Sequence, residues 1–168
     1  MRVLVRLALV LALAAAAWTA THVATAASTP RCATSGLVVW LDTQSDHAAG
    51  SSYYKLELTN LSGHACTLRG FPGVSAVGIA GAQVGRAAAR DRTGTPRLVR
   101  LPNNGAAVAV LRLVNVQNFP RSSCRPVVAA GLRVYPPDQR GSRLVPFPFP
   151  ACSRSGPVFL YIRAVRKT

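Results

Sequence analysis

The chain has 168 residues, 49% of them apolar, and sets 20 lysines and arginines against 5 acids for a net charge of +15. Such an apolar share excludes a disordered polyelectrolyte. Five acids cannot pair so many bases, so most of the positive charge must face solvent.

Arg2 and Arg6 open the chain, and an apolar run follows from Leu7 to Trp18. Ala24-Thr25-Ala26 and Thr25-Ala26-Ala27 then offer small-residue cleavage sites. Residues 1–27 therefore read as a cleavable export signal, since the run is short for a bilayer span. The mature protein is expected to begin near Ala27 or Ser28 and to be secreted as one monomeric domain, residues 28–168, with no transmembrane anchor. About 140 residues suffice for a proper core. Without Arg2 and Arg6 the net charge would still be about +13, a field that draws anionic polymers and membrane surfaces. Nearly all the bases are arginines; with so much alanine, a GC-rich genome would write the same bias. Cys32 follows Thr29-Pro30-Arg31 rather than the apolar run, so a lipid anchor is not expected.

Four cysteines in an exported chain of this size read as two disulfides. Cys32, Cys66, Cys124 and Cys152 allow three pairings, of which the sequential one, Cys32–Cys66 with Cys124–Cys152, is expected. Each bond would close a loop of about 30 residues, for roughly 3 to 4 kcal/mol. No close cysteine pair suggests zinc.

No sustained helical stripe follows the leader. Short runs of β-formers recur between turn signals instead. Gly36 to Asp42 is the first expected strand, and Thr43 to Ser51 a polar loop. From Ser52 to Asn60 the chain alternates, with Tyr54, Leu56 and Leu58 against Tyr53, Lys55, Glu57 and Thr59, as a half-buried antiparallel strand requires. Cys66 to Leu68 is a short strand, and Gly70-Phe71-Pro72-Gly73 a turn. Val74 to Gly78 and Ala82 to Val84 fit a hairpin around Ala80-Gly81. Gly85 to Pro96 is charged and poor in apolar residues, and reads as a mobile exposed loop.

Arg97 to Leu101 resumes as a strand, and Pro102 to Gly105 turns. Ala106 to Val116 is the longest strand, placing Ala107, Ala109, Leu111 and Leu113 on one face. Leu132 to Tyr135, Arg143 to Phe147 and Val158 to Val165 complete eight or nine strands. The whole predicts an all-β, antiparallel sandwich. Pro146-Phe147-Pro148-Phe149-Pro150 is excluded from a central strand, because proline has no donor for the ladder; it must be an edge or a covering loop.

Three stretches carry a resemblance: Cys32 leading into Gly36-Leu37, Leu58 to Gly63, and Ala65-Cys66-Thr67-Leu68-Arg69-Gly70-Phe71-Pro72-Gly73-Val74. Leu101-Pro102, Leu111-Arg112, Cys124-Arg125, Leu132 to Pro137 and Cys152 extend it to nearly the whole mature chain. In these the sequence resembles the family of domain of unknown function 4232, exported proteins and lipoproteins mainly of actinobacteria. The resemblance implies an immunoglobulin-like β-sandwich and no activity. The central block also has a structural explanation. Asn60 and Ser62 suit a turn, Cys66 can staple it to Cys32, and Gly70 and Gly73 free a corner around Phe71.

Catalytic patterns fail one by one. Gly73-Val74-Ser75-Ala76-Val77 lacks the last glycine of a nucleophile elbow. His47 and His64 fall in polar loops without an evident buried acid, so a hydrolase built on either is the remote alternative. Asp42, Gln44, Asp46 and His47 lack the glycine and distal glutamate of a calcium loop, and Gly78 to Gly85 lacks a phosphate-loop lysine-serine step. No enzyme activity, cofactor or metal is expected.

Arg86, Arg90, Arg92, Arg97 and Arg100 crowd one stretch, opposed there by Asp91 alone. Arginine forks suit phosphate and carboxylate groups, so these residues are the candidate site for an anionic envelope polymer or an acidic protein. Arg163, Arg166 and Lys167 add charge at the far end. Nucleic acid is not expected, because no aromatics interleave these arginines to stack bases. The same stretch would also serve as a solubilising loop. A structural module contacting partners through Phe147, Phe149 and their prolines is the competing reading.

Overall fold

The computed structural model describes residues 28–168, so the expected leader lies outside the described residues. The chain forms β1 (Leu37–Ala48), β2 (Ser51–Asn60), β3 (Cys66–Leu68), β4 (Gly73–Val77), β5 (Gln83–Val84) and β6 (Ala89–Asp91). Then come β7 (Val99–Leu101), β8 (Ala106–Val114), the one-turn helix α1 (Arg121–Cys124), β9 (Pro126–Tyr135), β10 (Arg143–Cys152), β11 (Leu160–Arg163) and β12 (Arg166–Lys167). One sheet runs β1-β2-β8-β11-β6, with β12 also on β8; a second runs β10-β9-β4-β5; β3 pairs with β7. The fold is all-β. Its ladders are antiparallel except for β6 against β11, which run parallel.

Alternation explains the layers. Leu56 and Leu58 of β2, Ala107, Ala109 and Leu111 of β8, and Leu160 and Ile162 of β11 turn one way from the large sheet and are buried. They belong to one apolar core with Val74, Ala76, Leu132, Val134, Val145 and Phe149 of the second sheet. Phe159 joins this core at 1% exposure. Burying each large aliphatic side chain in such a core contributes roughly 1.5 to 3 kcal/mol.

The disulfides are Cys32–Cys66 and Cys124–Cys152, the expected sequential pairs. The first ties the chain start to β3, where the Cys32 N–H donates to the Thr67 carbonyl at 3.0 Å. The second ties α1 to the end of β10. Beside the first, Asn60 is fully buried and fully used. Its amide donates to the carbonyls of His64 at 2.8 Å, Leu101 at 3.2 Å and Pro102 at 3.0 Å. Its Oδ1 accepts from the Ser62 N–H at 3.1 Å and hydroxyl at 2.7 Å. The Thr-Asn step of the central block thus fastens the β2–β3 connection to the β7–β8 turn.

Several expectations need correction. The strand expected to be longest, β8, ends at Val114 and is shorter than β1, and Val158 to Val165 is reduced to β11. Thr43 to Ser51 is no loop: β1 continues to Ala48 across a bulge between Asp42 and Asp46, and His47 pairs with Ser52. The hairpin closes on Ala49 and Gly50, both at positive φ (46° and 68°), as a two-residue turn matching strand twist demands. Alanine is a poor signal for that conformation, which hid the turn. Gly85 to Pro96 is likewise not loop throughout, because Ala89–Asp91 dock beside Tyr161–Arg163. Arg97 to Leu101 becomes the shorter β7 and joins β3 rather than a large sheet. Finally, β9 starts at Pro126 and β10 runs on to Cys152, so both are longer than their apolar cores. The Pro-Phe segment is an edge strand, with a bulge between Pro146 and Phe149 that accommodates the missing donors.

Candidate functional site

The sequence-derived candidates separate in space. Arg86, Arg90 and Arg92 are exposed, and none lines the cleft described next. Arg90 spends its guanidinium over the Phe71 ring, 5.7 Å from the centroid. Arg97 and Arg100 line a cleft of about 710 Å³. Opposite them stand Arg163, Arg166 and Lys167, whose charge the sequence placed only at the far end of the chain.

Backbone irregularity builds this cleft. Ile162 pairs with Leu111 while Arg166 pairs with Val108, so the chain carries one residue more than β8 between these points. The extra residue makes a bulge at Ala164-Val165, and the Val165 N–H leaves the ladder to donate to Gly70 at 2.8 Å. Bulges re-aim side chains in this way. The β6–β7 connection, Thr93 to Leu98, forms the facing wall. Val110, on the outer face of β8, also lines the cleft, together with buried Val99 and Val165.

Asp91 holds the two walls together. Its Oδ1 accepts from the Thr93 hydroxyl at 2.5 Å and N–H at 3.0 Å, and its Oδ2 accepts from Arg163 Nε at 2.9 Å. The Thr93 hydroxyl bond first, then the Arg163 bond, lower its pKa from 3.8 to about 2. Arg163 is therefore neutralised. Arg97, Arg100, Arg166 and Lys167 make no ion pair with a described residue, and no carboxylate lines the cleft. Arginine forks with free donors at such a mouth can take phosphate or carboxylate oxygens in pairs.

Other arginines are committed to structure. Arg143 donates to the carbonyls of Thr34, Ser35 and Leu37, pinning the entry to β1. Arg133 donates to the Gly81 carbonyl at 2.7 Å. Arg112 stacks on Tyr161, 4.0 Å from the ring centroid.

The remaining candidates do not assemble. His47 accepts or donates to the hydroxyls of Ser45 at 3.1 Å and Ser52 at 3.0 Å, on a shallow rim without a carboxylate. His64 is exposed at the Asn60 corner. The Pro-Phe edge presents its prolines outward and its rings inward: Phe149 is buried, and Phe147 packs edge-on against Tyr54 at 5.0 Å. Phe149 thus belongs to the core, and Phe147 is partly buried against it. Among the described residues no cluster of three or more His, Cys, Asp or Glu could hold a metal ion, and no helix is long and apolar enough to cross a membrane.

The family described as Domain of unknown function (DUF4232) matches residues 32–159. The chain belongs to this family. Its matched region runs from the first disulfide cysteine to Phe159 and stops just short of β11, so Arg163, Arg166 and Lys167 lie beyond it. No curated protein and no solved structure shows significant similarity.

Proposed function

We propose that this protein is an exported, non-catalytic binding domain that takes an anionic polymer of the cell envelope at the Arg97/Arg100/Arg166/Lys167 cleft. Two formed disulfides support export, since such bonds persist in oxidising compartments. The observation that carries the ligand class is the convergence of cations from two distant segments on one cleft lacking a carboxylate. Charge of one sign in a concave site focuses the field and speeds encounter with anions. Paired hydrogen bonds then add geometric selectivity for phosphate or carboxylate groups.

Co-sedimentation with purified cell envelopes across a salt series tests this reading. Binding should fall as ionic strength rises and should drop further in an Arg97→Ser/Arg100→Ser/Arg166→Ser variant. Binding that persists or strengthens with salt would instead indicate an apolar protein contact and overturn it.

A further inference from the structure

The cleft differs from two other concavities among the described residues in what surrounds its charge. The hollow beside His47 measures about 280 Å³ and is edged by alanine, glycine and serine. The one beside Arg154 measures about 630 Å³ and is edged mainly by serine and glycine. Of these three, the basic cleft alone joins several cations to branched aliphatic side chains. Leu98 stands 67% exposed between Arg97 and Arg100, at the mouth. Half-buried Val110 also lines the cleft, which thus offers an apolar track beside its cationic rim.

A fully hydrated polyanion would use the rim and leave this track wet. A ligand with an anionic head and a linear apolar chain would use both. Pockets of about 300 to 1,000 Å³ that combine apolar lining with a few placed polar groups suit small organic ligands, and 710 Å³ falls within that range.

We propose that the cleft binds a single anionic amphiphile. Its phosphate or carboxylate head sits among Arg97, Arg100 and Arg166, and its chain lies over Leu98 and Val110. This rests on the cleft being the ligand site and narrows its ligand from any envelope polyanion to one that ends in an apolar chain.

Calorimetry with ethyl, butyl and octyl phosphate, below aggregating concentrations, tests the chain. Affinity should rise about twofold per added methylene, half the gain that full burial gives. Octyl glucoside, with the chain but no charge, should bind at least tenfold more weakly than octyl phosphate. Leu98→Ser, a change at an exposed site that leaves the core intact, should flatten the chain-length series, and Val110→Asn should do the same. Arg86→Ser, outside the cleft, should leave the series unchanged.

Equal affinity for ethyl and octyl phosphate would overturn the inference, as would a series that Leu98→Ser and Val110→Asn both leave intact. Capture by phosphatidylglycerol vesicles without binding of monomeric octyl phosphate would overturn it too, by moving the ligand from the cleft to a bilayer surface. Salt-sensitive envelope binding without a chain-length series would sink this inference alone. Loss of both would sink the functional reading with it.

Discussion

The Asn60 corner and the basic cleft are both made where strands meet connections, yet they treat polar groups in opposite ways. At the corner every donor and acceptor of a fully buried amide is met from within the chain. At the cleft, Arg97, Arg100, Arg166 and Lys167 are exposed and make no ion pair with a described residue. A satisfied buried network makes a fold specific. Unpaired cations in a concavity add nothing comparable to stability, because like charges repel there. The difference sorts the arginines: Arg133 and Arg143 serve the fold, whereas Arg97, Arg100 and Arg166 are free for an external anion.

Breaking the corner should cost most. Replacing Cys32 and Cys66 together with alanine should lower unfolding free energy by about 2 to 5 kcal/mol in a denaturant titration. Asn60→Leu should follow at about 2 to 3 kcal/mol, because carbonyls of His64, Leu101 and Pro102 lose a donor at once. The same titration on Arg97→Ser/Arg100→Ser/Arg166→Ser should move stability by no more than about 0.5 kcal/mol while binding suffers. That contrast separates a fold-bearing region from a ligand-bearing one.

Asp91 links the two behaviours and should give a small, pH-dependent effect. Its carboxyl is held below its ordinary value, so it contributes stability above pH 3.8 and loses that contribution as pH falls through about 2. The stability gap between wild type and Asp91→Asn should therefore close across that window. Solvent around half-exposed Arg163 should keep the gap under about 1 kcal/mol.

The corner was far more legible in the sequence than the cleft. Cysteine count, the Thr-Asn step and the alternation of Leu56 and Leu58 are local signals, and they led to the right strand and the right disulfides. The Pro-Phe edge was equally readable, because missing donors restrict where proline can go. The cleft depends on pairings between distant segments: Arg166 beside Val108, and Arg100 beside Thr67. No local pattern announces either pairing. Hence five clustered arginines read as one site, although strand placement brings only Arg97 and Arg100 to the cleft. The β1–β2 hairpin escaped for a different reason, since Ala49 adopts a positive φ that its residue type does not advertise.

Two triple variants test the division of the arginines most directly: Arg97→Ser/Arg100→Ser/Arg166→Ser and Arg86→Ser/Arg90→Ser/Arg92→Ser. They remove equal charge, so any effect of net charge alone must be shared between them. Envelope binding at low salt, measured side by side with wild type, should collapse at least tenfold for the cleft triple and change less than threefold for the other, amid charges screened in solution. Equal losses in both would show that binding follows total charge, and would contradict the cleft as the site.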